Sequence, residues 1–162
     1  MARILKFALI AFALVALAAC GKKEEEKPKV QAPVAVSLPA NPADSQAWKI
    51  YLSSVVKRNM EGIRSSPYMY YLPDAASTTD FEEQYTRQLD NVSGVVLRGV
   101  LPGNMLAFGS PESARMADMI VEAFTDVSAG SMKDVRVLFI GQAADAERVK
   151  AAVEPSGATF VF

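Results

Sequence analysis

The residues able to do chemistry are few, and their types narrow what that chemistry can be. The 162-residue chain has no histidine and a single cysteine, Cys20. Ser-His-Asp and Cys-His nucleophile pairs are thereby excluded, together with histidine zinc sites and the commonest general base. Catalysis would fall to carboxylates, lysine, tyrosine or serine alone. Glu82 and Glu83 are adjacent acids, but neighbours on a helix point in different directions and cannot share one substrate. Gly99-Val100-Leu101-Pro102-Gly103 is too loosely spaced and too apolar to cradle a phosphate. No P-loop, dinucleotide fingerprint or EF-hand calcium loop occurs. The inventory points away from an enzyme and calls for no cofactor or metal.

Two constellations remain as candidates for binding. The first is Ser66-Pro67-Tyr68-Met69-Tyr70-Tyr71-Leu72-Pro73, a tyrosine-rich segment fenced by prolines that favour an extended chain. Alternation puts Tyr68 and Tyr70 on one face and Met69 and Tyr71 on the other. One pair can then pack on a core while the other meets a partner or a glycan. The competing reading is that all of these rings simply cover the core. The second lies at the turns containing Gly109 and Gly141. If the strands before them are parallel neighbours, helices beginning near Ser110 and Gln142 open on one edge and present backbone amides to an anion or carboxylate. Glycine after a strand is also ordinary turn chemistry.

The elements that must position these residues follow from hydrophobic periodicity. Asn41-Pro42 reads as a helix start, with Trp48, Leu52, Val55, Val56, Met60 and Ile63 recurring at helical spacing. Thr79 and Glu82 have the spacing of a capping box, and Phe81, Tyr85, Leu89 and Val92 continue on one face until Gly94. Short apolar runs follow: Val95 to Leu101, a turn at Pro102-Gly103-Asn104, then Met105 to Phe108. Ser110-Pro111-Glu112 opens a helix through Ala117, Ile120, Val121 and Phe124. Val135 to Ile140 reads as a central strand, Asp145 to Val153 as a last helix, and Ala158 to Phe162 as a final strand. Strand and helix alternate over the second half. That predicts an α/β sandwich of about four strands with a partly parallel sheet. A ferredoxin-like α+β arrangement is the rival, because Val95 to Phe108 has the makings of a hairpin.

The N-terminus carries a different kind of information. Arg3 and Lys6 precede an uncharged apolar run from Phe7 to Ala19, too short to span a bilayer and laid out like an export signal. Leu17-Ala18-Ala19-Cys20 resembles the lipobox of bacterial lipoproteins. The resemblance implies that residues 1–19 are removed and that Cys20 becomes a lipidated first residue anchored in a membrane. Gly21, where an inner-membrane lipoprotein commonly has aspartate, implies the outer membrane, with the protein facing the periplasm. Residues 20–41 combine Lys22-Lys23-Glu24-Glu25-Glu26-Lys27 with spaced prolines and read as a disordered tether, leaving 42–162 as a single α/β domain.

Losing Arg3 and Lys6 with the signal takes the formal net charge from −1 to −3. Such a balance, without a Lys/Arg stripe, gives no drive toward nucleic acid. The expected function is therefore a non-catalytic binding or accessory module of the cell envelope. Its alternatives are an immunity or inhibitor lipoprotein against an envelope-degrading toxin, and a hydrolase using carboxylate or serine.

Overall fold

A computed structural model describes residues 36–162. The expected export signal, Cys20 and most of the expected tether fall outside the described residues. Helix α1 spans Ser45–Arg58, strand β1 Tyr68–Tyr71, helix α2 Phe81–Arg98 and strand β2 Met105–Gly109. Helix α3 follows over Ser113–Phe124, strand β3 over Arg136–Ile140, helix α4 over Ala143–Val153 and strand β4 over Thr159–Val161. A short 3₁₀ turn, Glu154–Ser156, separates α4 from β4.

The fold is α/β. All neighbouring strands are parallel, in the order β1-β2-β3-β4. Parallel pairing of β1 with β2 and the helical course of α2 leave no hairpin between Val95 and Phe108, so the ferredoxin-like alternative does not hold. Crossovers that all step the same way with one hand deliver their helices to one face. Accordingly, α2, α3 and α4 share one core with Tyr70, Leu106, Phe108, Val137 and Phe139. Among the described helices, α1 alone covers the opposite face, packing Leu52 and Val56 against Met105, Ala107, Leu138 and Ile140. Strands β2 and β3 are thus buried on both sides, which is why their sequences are unbroken apolar runs.

Several local expectations are corrected. Asn41-Pro42 does not start α1. The Asn41 side chain accepts the Ala43 amide in a turn, and Asp44 is the cap, accepting the Ala47 amide at 2.9 Å. The helix stops at Asn59, whose N–H donates to the Val56 carbonyl, so Met60 and Ile63 reach the α1 core from the following turn. Helix α2 passes through Gly94 and ends only at Gly99, whose φ of 86° suits glycine. The buried stripe Phe81, Tyr85, Val92 and Val96 continues at helical spacing across Gly94, and this overrides the β-preferring Val95-Val96 pair. No capping box forms at Thr79. Asp80 is the cap position, without a side-chain cap bond, and Glu82 instead pairs with Arg115 at 2.6 Å.

Gly109 sets how closely α1 can lie on the sheet. A Cβ there would sit 2.3 Å from a Leu52 methyl, so only glycine admits this approach without a shift. Among the described residues, no helix is long and apolar enough to cross a membrane.

Candidate binding site

Strand β1 is the part of the tyrosine segment the sequence marked as extended, and it forms one edge of the sheet. Pro67 and Pro73 flank it, as suits an edge. Its two faces fare differently from a simple pair-in, pair-out division. Tyr70 is 7% exposed and stacks on Phe108 with ring centroids 5.0 Å apart, while Tyr68, on the same face, is 44% exposed. Met69 is 45% exposed on the other face, and Tyr71 is half-buried there. The segment therefore supplies one core ring, Tyr70, and three residues that reach the surface.

On the α1 side Met69 and Tyr71 border a groove. Helix α1 lies over β2 and β3, leaving an apolar cavity of about 220 Å³ between it and β1. Leu52, Val56, Met69, Ala107 and Ile140 line its interior, with Lys49 and Ser53 from α1 and Tyr71 from β1 also on its wall. The Lys49 ammonium stands 5.5 Å from the centre of the Tyr71 ring, within cation–π range. The Tyr71 hydroxyl donates to Ser45 Oγ at 3.2 Å. Burial pushes the Tyr71 phenol above its ordinary value despite that hydrogen bond, and nearby Asp74 and Asp44 push it the same way. It remains a neutral hydroxyl across the physiological range, a poor nucleophile and base.

A second depression, about 490 Å³, adjoins the groove through Lys49 and Ser53 and continues along α1 past Ile50 to Lys57. Among the described residues, no acidic side chain lines either hollow. Lysine 49 and Lys57 escaped the sequence reading because an exposed helical lysine is ordinary. The available signal was their spacing: Lys49, Ser53 and Lys57 recur every fourth residue, beside the apolar pair Leu52 and Val56.

The edge backbone of β1 is partly blunted. Gln88 of α2 donates its side-chain amide to the Tyr71 carbonyl at 2.8 Å, which occupies one of the groups an added strand would need. Side-chain contact in the groove is the more open mode.

The other candidate pair, Ser110 and Gln142, is indeed brought to one edge, because β2 and β3 are parallel neighbours. The chain's own groups then occupy the turns. Ser110 is buried; its hydroxyl donates to the Leu72 carbonyl at 2.9 Å and accepts the Glu112 amide at 2.8 Å. The Gln142 amide donates to Ser113 Oγ at 2.7 Å, and Ser113 donates in turn to Asp145 at 2.6 Å. Asp145 pairs with Arg148 at 2.9 Å, and Arg148 also pairs with Asp118. An incoming anion there would meet the Asp145 carboxylate. Among the described residues, no group of three or more acidic or cysteine side chains is arranged to hold a metal ion.

Comparison with known proteins finds no matching family model, no matching curated protein and no matching solved structure.

Proposed function

We propose that this chain is a cell-envelope lipoprotein, tethered through lipid on Cys20 and facing the periplasm from the outer membrane, that works as a non-catalytic binding module. The observation that carries the binding role is the apolar groove between α1 and β1, bordered by exposed Met69 and by Lys49. A half-open apolar surface costs solubility and is kept where it contacts something. The strand order supports the same reading. With β1-β2-β3-β4 in sequence there is no reversal of strand order, and hence no crevice of the kind in which open parallel sheets place their active sites.

The tether is tested separately from the groove. Cys20→Ser is expected to abolish incorporation of labelled palmitate and to leave an unprocessed or mislocalised precursor; persistent labelling would remove the lipoprotein reading. The groove is tested by capture from detergent-solubilised envelope. Met69→Asp puts a charge into the apolar border at an exposed position, so binding should be lost while the melting temperature stays within a few degrees of wild type. Unchanged capture would place the contact surface elsewhere.

A further inference from the structure

We infer that the groove between α1 and β1 takes a single-chain aliphatic anion, with the hydrocarbon tail between Leu52, Val56, Met69 and Ala107 and the anionic head at Lys49. This rests on the reading of the groove as the contact site and adds the chemistry of its occupant. The lining is mainly aliphatic, with Tyr70 and Phe108 also contributing, and at about 220 Å³ the cavity is smaller than the pockets that enclose drug-sized ligands. Such a volume suits a single hydrocarbon chain better than a bulky, ring-bearing molecule. Polarity is confined to the wall that α1 and Tyr71 supply, where Lys49 brings the only charge among the described residues of the lining.

The charge pattern fixes the sign of the head group. From Lys49 the surface runs on along α1 to Lys57 through Ser53, with two cations and no carboxylate among the described residues that line the adjoining depression. A cationic head would face both lysines with nothing to pair with. A neutral chain would gain the apolar contact and leave the lysines unused. Tyr71 holds the Lys49 ammonium beside the groove through its ring face, so part of the ordering cost of that long side chain is met before a ligand arrives. Asp44 and Asp74, the acids that act on the Tyr71 hydroxyl, are outside the lining.

The test uses the full chain in phosphatidylcholine nanodiscs, labelled at methionine methyl groups. Met69 reports the groove, and the fully buried Met116 and Met119 report the fold. Decanoate, decanol and decyltrimethylammonium are titrated below their micellar ranges. Decanoate is expected to move the Met69 signal in a saturable way and to bind about fivefold or more tightly than the cationic analogue, the scale of an exposed ion pair. Lys49→Gln, at an exposed position, should erase that preference, and Ser53→Glu should abolish binding, with Met116 and Met119 unmoved. Equal binding of all three amphiphiles, or a preference that survives Lys49→Gln, overturns the anionic class and leaves the groove standing as a site. If no amphiphile moves Met69 but Met69→Asp still abolishes capture of an envelope partner, the small-ligand inference fails and the binding role survives. If neither effect is seen, both fail together.

Discussion

Tyr68 and Tyr70 lie two residues apart on one strand and share a face, yet their environments are opposite. Tyr70 stacks on Phe108 within the core, and burial raises its phenol above the ordinary value. Tyr68 opens the strand at the sheet edge and stays exposed. Tyr70→Ala should therefore cost about 3 kcal/mol or more of stability, as large-to-small core changes do. Tyr68→Ala should change stability by less than about 0.5 kcal/mol. If Tyr68 anchors a partner, the same substitution should weaken that contact by about 2 kcal/mol. Chemical denaturation and capture assays on the two variants separate these outcomes, and equal destabilisation by both would contradict the placement of β1.

The Ser113–Asp145–Arg148 cluster makes a prediction about acid. Burial pushes the Asp145 carboxyl up, but the hydrogen bond from Ser113 and the pairing with Arg148 outweigh it and hold the group below the usual carboxylate value. A depressed folded value means that the contribution of Asp145 is fully present above the unfolded carboxylate pKa and is lost as pH falls through the folded one. Asp145→Asn should thus be less stable than wild type by about 1.5–3 kcal/mol at neutral pH, the range for hydrogen bonds to a charged group. The gap should close on acidification below the ordinary carboxylate range. Urea midpoints for both proteins across acidic pH check this, and a gap that widens toward low pH would reverse the sign.

At the scale of elements, two glycines make opposite predictions. Gly94 is inside α2, where a Cβ would meet only the flexible Arg98 side chain, at 3.3 Å. Gly94→Ala should stabilise by about 0.5–1 kcal/mol, the propensity gain within a helix. Gly109→Ala drives a methyl into Leu52 and should destabilise by about 1–3 kcal/mol, with partial recovery when Leu52 is also shortened to Ala. Thermal melts of the three variants decide both. A loss on Gly94→Ala would mean that α2 does not run through that residue.

The same elements show what was readable in the chain. Strands β2 and β3 and helices α3 and α4 were legible because their signals are local: unbroken apolar runs between turn residues, then helical spacing. The end of α2 was not, because Gly94 and Val95-Val96 each favour a break, and only the stripe from Phe81 to Val96, satisfied by packing on α3 and the sheet, decides otherwise. The extended form of Tyr68 to Tyr71 was legible from its prolines. Its role as an edge strand, and the division between Tyr70 and Tyr68, depend on β2 and α2, which lie far along the sequence. Lys49 belongs to the groove only because α1 folds back on the opposite face from the other three helices, a matter of topology that no residue near Lys49 announces.

For the described residues as a whole, the arrangement is lopsided: three helices close one face of the sheet and a single helix of 14 residues covers the other. The larger core lies beneath α2, α3 and α4, and the groove opens on the α1 side, beside the smaller core. The measurement that tests this most directly is site-specific photocrosslinking in intact cells, with a photoreactive residue in place of Met69 at the groove or in place of exposed Glu147 on α4, in the helical layer that covers the opposite face. The account predicts a discrete adduct, to an envelope component or to a lipid-sized molecule, from position 69 and none from position 147. Adducts from 147 with none from 69 would contradict it.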